Sequence, residues 1–133
     1  MMTDIVAELK RRVLLADGAM GTELHRRGVG VGECFDALNL SNPDLVQNVH
    51  RDYIASGADL IEANTFGSNR YQLRKHGLTE SVEEINRVAV ELARQVIAVA
   101  DRPVWLAASV GPLGVRLMPY GRLHPEEARV AFS

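Results

Sequence analysis

Three stretches of this chain end an apolar run in residues that can bind or react: Asp17-Gly18-Ala19-Met20-Gly21-Thr22-Glu23, Asn64-Thr65-Phe66-Gly67 and Ser109-Val110-Gly111-Pro112. In the first, Gly18 and Gly21 let the backbone approach a ligand closely, and a helix opening near Ala19 would turn free N–H groups toward an anion such as a carboxylate. Asp17, beside them, can accept from an ammonium group. Together they suggest a site for an α-amino acid. The plainer alternative is that Asp17 caps the helix and the glycines turn the chain, and residue chemistry alone does not separate the two. Asn64 and Thr65 can offer hydrogen bonds into the same mouth, although by type they read as turn formers.

Other reactive types carry less. By strand alternation Glu62 shares a face with Leu60 and Asn64, which points it into an interior where a carboxylate needs a partner. Cys34 is the single cysteine, so it makes no internal disulfide and no cysteine-rich metal site; it reads as a small buried or half-buried thiol and not as a nucleophile. His25, His50, His76 and His124 never fall at the i, i+4 spacing of a helical metal pair, and the first three read as surface or satisfied residues. This stretch therefore shows no metal site of its own. Gly28-Val29-Gly30-Val31-Gly32 fails as a dinucleotide fingerprint, because its third glycine comes one residue early and it follows a helical pattern.

Strands must place the three reactive stretches, and the spacing supplies them. Val13-Leu14-Leu15-Ala16 predicts a first buried strand, Asp59 to Thr65 a second and Val104 to Ser109 a third. Asn42-Pro43-Asp44 opens a helix whose face carries Leu45, Val49 and Tyr53, and Gly57 closes it. Ser81 and Glu84 form a capping-box signal ahead of Val82, Ile85, Ala89, Leu92 and Val96, which recur at helical period to about Ala100. Pro125-Glu126-Glu127 starts another helix. Apolar strands alternating with helices imply a parallel α/β sheet, either doubly wound or an eight-fold barrel. Three strands fall short of a barrel of about 250 residues, so a truncated domain is expected. Such a partial barrel leaves strand edges and apolar helix faces uncovered, and poor stability in isolation follows.

Composition narrows the partners. The 133 residues are 47% hydrophobic and 24% charged, with a formal net charge of -2, as in an ordinary globular segment. The basic residues are scattered along the sequence, which argues against nucleic acid. Asp4, Glu8, Lys10, Arg11 and Arg12 interrupt the apolar lead-in, which argues against a signal peptide or membrane span; a cytoplasmic address is expected.

Taken together, Asp17 through Leu24, Asn64-Thr65-Phe66-Gly67 and Ser109-Val110-Gly111-Pro112, in this order and spacing, resemble the homocysteine S-methyltransferase family. Leu38-Asn39-Leu40, Val49 through Ile54 and Leu73 through Leu78 extend the likeness over nearly the whole chain. The resemblance implies a (β/α)8 TIM barrel of which residues 1–133 are the N-terminal portion, about three of eight strands, forming a partial homocysteine-binding domain truncated at its C-terminal end. It implies that Asp17, Gly18, Ala19, Met20, Gly21 and Thr22 grip the polar end of homocysteine, with Asn64 and Thr65 nearby. No residue of this segment is expected to be catalytic. It also implies a zinc ion held by cysteines C-terminal to this segment, Cys34 not being one of them, and methyl transfer to the homocysteine thiol to give methionine. The methyl donor is left among S-methylmethionine, betaine and a methyl-corrinoid or folate-linked donor. Ser109 to Gly114 and Pro119-Tyr120-Gly121 resemble bacterial proteins in which a methylenetetrahydrofolate reductase domain follows, and FAD would belong to that downstream domain. Two other readings compete. A Schiff-base lyase would need a lysine ending a strand, and Lys10 and Lys75 do not; a non-catalytic amino-acid-binding remnant would account for the missing zinc cysteines.

Overall fold

The computed structural model describes residues 4–133. Its elements run α1 (Ile5–Leu9), α2 (Met20–Arg26), α3 (Leu38–Ser41), α4 (Pro43–Ala55), β1 (Leu60–Glu62), α5 (Arg70–Arg74), a 3-10 turn (Thr79–Ser81), α6 (Val82–Ala98), β2 (Trp105–Ala107) and α7 (Pro125–Phe132). β1 and β2 pair in parallel with Leu60 opposite Trp105 and Glu62 opposite Ala107. A parallel pair needs a long crossover, and α5 and α6 supply it.

The expected first strand is present only as a bridge between Ala16 and Leu60, parallel to β1. The Leu15 carbonyl accepts from the Asp59 and Leu60 amides at 2.7 and 3.2 Å, and the Asp17 amide donates to Leu60 at 2.9 Å. Beyond this the run has no second neighbour, and Val13 stands 90% exposed. An apolar run with one partner keeps its line but not a full ladder. The other two strands are shorter than expected, because the backbone leaves the ladder at Ala63 and Ala107 to build the loops that follow.

Helix placement follows the apolar period closely. α6 buries Ile85, Ala89, Leu92, Ala93 and Val96. With Leu24, Val46 and Val49 from α2 and α4, Leu92 forms one core, and Ala93 joins Ala58, Ile61 and Val104 in a second beneath the sheet. Each fully buried Val or Leu contributes about 1.5–3 kcal/mol. Gly57 ends α4 with φ of 105°, a conformation that L side chains resist.

The expected caps differ. Asn42 and Ser81 occupy cap positions, yet neither side chain bonds the helix that follows. Ser81 sits at φ -102°, ψ 6°, at the end of the 3-10 turn, instead of in the extended conformation that aims a cap side chain at the helix amides. Asn69 does cap, accepting from the Tyr71 and Gln72 amides at 3.0 and 3.1 Å. Among the described residues no helix is long and apolar enough to cross a membrane.

Candidate functional site

The ends of the Ala16 segment, β1 and β2 open onto one cavity of about 630 Å³. Asp17, Gly18, Ala19, Met20 and Gly21 line it together with Asn64 and Thr65. Thr22 lies outside the lining and is exposed on α2. Sequence reading did not single out Phe35, Asp36, Gln72 or the Phe66 ring for this wall, and Glu62 also lines it.

Parallel pairing places Asp17 beside β1, where its Oδ2 accepts from the Glu62 amide at 3.0 Å. It does not cap α2, whose N-cap Ala19 receives no side-chain bond. The other oxygen, Oδ1, is buried without a partner. Burial holds the Asp17 pKa above the ordinary carboxylate value; the Glu62 amide opposes the shift and the Glu62 charge adds to it. An unpaired buried carboxylate oxygen is costly, and an ammonium group would relieve it.

The glycines beside Asp17 are closely packed. A Cβ on Gly18 would stand 3.0 Å from the Tyr53 hydroxyl, which donates to the Ala19 carbonyl at 2.8 Å, and a Cβ on Gly21 would press the Phe35 ring at 3.1 Å. Tyr53, on the expected face of α4, thus braces the turn that carries Asp17.

The Asn64 amide nitrogen and the Thr65 hydroxyl are bonded within the wall itself. Asn64 Nδ2 donates to the Phe35 carbonyl and to Asn39 Oδ1 at 2.9 and 3.0 Å, while Asn39 Nδ2 returns a bond to the Asn64 carbonyl at 2.9 Å. Thr65 donates to the Ser109 carbonyl at 2.8 Å and accepts the Ser109 amide at 3.2 Å, locking the second and third reactive stretches together. These side chains position the wall. Glu62, expected to point inward toward a partner, is exposed and forms no ion pair among the described residues.

Asp36 has the reverse arrangement, with its Oδ1 accepting from the Gly67 amide at 3.1 Å and the Ser68 hydroxyl at 2.8 Å. Burial raises its pKa, and the Ser68 bond pulls it back. An aspartate ahead of a short helix was the available signal, but its partners lie some thirty residues onward and sequence spacing does not reveal them. Asp36→Ala should cost about 1–3 kcal/mol by leaving two donors unpaired, whereas Asp36→Asn, which keeps Oδ1, should cost much less. Urea unfolding midpoints of the two variants test this; equal losses would contradict the assigned bonds.

The residues present do not make a metal centre. No group of three His, Cys, Asp or Glu among the described residues is placed to hold an ion. Cys34 is free and half-buried, and burial raises its thiol pKa, away from the thiolate that a zinc ligand must be. Of the histidines, His25 and His76 are exposed as expected, but His50 is neither surface nor satisfied: it is fully buried with both ring nitrogens unpartnered.

Residues 14–133 match the family model described as Homocysteine S-methyltransferase. Among curated proteins, the methionine synthases of Mycobacterium tuberculosis (strain ATCC 25618 / H37Rv) and Mycobacterium leprae (strain TN) are each 31% identical over 140 aligned positions, covering 98% of this chain and 12% of theirs. Among solved structures, the homocysteine methyltransferase MmuM from Escherichia coli aligns with a TM-score of 0.70 in its metallated form and 0.72 in its oxidized form, at 31% and 32% identity. Those alignments cover 81% and 83% of this chain and 41% of MmuM. The chain thus spans less than half the length of each of these relatives. None of their names points to a flavin, and the FAD expectation is not carried further.

Proposed function

The chain belongs to the homocysteine S-methyltransferase family, and from that premise we propose that it forms the N-terminal portion of a (β/α)8 barrel whose cavity binds homocysteine for methylation to methionine. The observation that carries the reading is that Asp17 lines the cavity while its Oδ1 is left without a hydrogen-bond partner. It accepts from the α-ammonium of the amino acid. The Gly18 to Gly21 backbone faces the carboxylate, where glycines leave room for close approach. Thr22 acts through the turn it belongs to, and Asn64 and Thr65 hold the opposing wall in register. The cavity has space for the thiol side chain with a methyl donor beyond it.

This stretch supplies the grip and not the metal. Zinc in this family makes a thiol a competent nucleophile near neutral pH. The residues described here do not fit such a site, and the ligands are assigned to residues outside this stretch. The donor is S-methylmethionine, betaine or a methyl-corrinoid or folate-linked donor.

The test uses the complete protein with homocysteine and each donor in turn, and methionine is expected with one of them. A second arm replaces homocysteine by 4-mercaptobutanoate, which keeps the thiol and carboxylate but lacks the amino group. Loss of the ammonium contact should weaken binding by about 30-fold or more. Absence of methionine with every donor would reject the enzyme, and equal binding of the two thiols would reject the role of Asp17.

A further inference from the structure

A second charged surface lies beside the cavity and takes no part in the reading above. Arg70 and Arg74 on α5 place their guanidinium carbons 5.8 Å from the same Tyr71 ring centroid. Arg74 also lines a hollow of about 390 Å³ with Arg116 and Arg122, from the loop after β2, and Arg70 and Arg74 line an adjoining one of about 330 Å³. Two guanidinium groups thus stand over one aromatic ring, and two further arginines line a hollow that the ring shares.

Elsewhere this chain pairs most of its arginines, as Arg12 pairs with Glu8 and Asp59, and Arg27 with Asp52. Arg70, Arg74, Arg116 and Arg122 form no ion pair among the described residues. The acids bordering the hollows are engaged by other groups: Glu126 makes a fork with Arg129 at 2.6 to 3.1 Å, and Glu127 accepts the His124 amide at 2.9 Å. Four arginines outnumber the one carboxylate, Glu127, that borders the hollows without an ion pair, so a positive excess remains that stacking on Tyr71 offsets only in part. Planar guanidinium forks match phosphoryl and carboxylate oxygens.

We propose that the Arg70, Arg74, Arg116 and Arg122 cluster around Tyr71 is a binding site for a small molecule carrying clustered oxyanions, phosphoryl or carboxylate. The site stands on residues separate from the homocysteine cavity, which Gln72 of the same helix lines.

Calorimetric titration of the protein at low ionic strength, with pyrophosphate and separately with citrate, tests the proposal. At least one anion should bind with Kd below about 1 mM, weaken by about tenfold or more in R74Q/R116Q, and weaken as salt is added. Pyrophosphate binding more tightly than citrate identifies a phosphoryl ligand, and the reverse a polycarboxylate. R94Q, an exposed change on α6, serves as the control, and circular dichroism verifies folding. Failure of both anions to bind, survival of binding in R74Q/R116Q, or an equal loss in R94Q would overturn the site.

Discussion

Replacing Asp17 by Asn should abolish useful homocysteine binding while making the protein more stable. Asn keeps an oxygen for the Glu62 amide, which Asp17 Oδ2 accepts at 3.0 Å, so the turn stays tied to β1. What disappears is the negative charge that the proposed site sets against the substrate ammonium. Breaking one side of a largely desolvated charged pair costs about 2–5 kcal/mol, a rise of roughly 30-fold or more in the homocysteine KM. The stability effect has the opposite sign. Burial raises the Asp17 pKa in the folded protein, so folding favours the protonated acid. The stabilising contribution of such a group is complete below its unfolded pKa and is lost as pH rises through the folded one; at neutral pH the buried carboxylate is a cost. Removing that charge should raise the melting temperature at pH 7. In the proposed contact, the homocysteine ammonium would work the same equilibrium from the other side by stabilising the carboxylate. Affinity of the native protein should therefore fall as pH drops through the raised titration of Asp17, and D17N should lose that pH dependence. Steady-state kinetics and thermal scans measure both effects. A variant that binds homocysteine normally would refute the assignment.

Two of the three strands, the helix faces and the pocket mouth were legible in the sequence because each rests on local pattern. Ile85, Ala89, Leu92 and Val96 recur with the helical period and are buried together on α6. Asp17, Asn64 and Ser109 each end an apolar run, and parallel pairing alone brings such ends to one side of a sheet. What the sequence withheld depends on partners far along the chain. Asn64 carries no mark that its amide is spent on Asn39 and the Phe35 carbonyl. Nor does Asp36 show that it clamps Gly67 and Ser68, or Arg116 that it shares a hollow with Arg74. Residue chemistry suggested an amino-acid site and the resemblance agreed with it; the hydrogen bonds set Asp17, with one oxygen unpartnered, apart from Asn64 and Thr65, which tie the wall together. The Ser81 capping signal failed because a 3-10 turn already occupies the approach to α6.

His50 should make the protein acid-sensitive from about pH 6.5 downward. It lies on α4 at 0% exposure, with Nδ1 and Nε2 both lacking partners, and burial lowers its pKa from 6.5 to about 4. The sign follows from proton counts. Between pH 6.5 and about 4 the unfolded chain binds a proton at His50 that the folded one refuses, so stability declines as pH falls through this window and the penalty levels off below it. At pH 5 the loss is about 2 kcal/mol, approaching about 3 kcal/mol at the lower limit. Other groups titrate over part of this range, so the measurement is a difference between native protein and variant. H50L removes both unpartnered nitrogens at similar volume, and H50M offers a more adaptable side chain where leucine packs poorly. Urea unfolding at pH 7 and pH 5 should show the native protein losing about 2 kcal/mol more than either variant. An equal pH dependence in all three would mean that the imidazole is protonated in the folded state, and that a partner or solvent reaches the interior of α4.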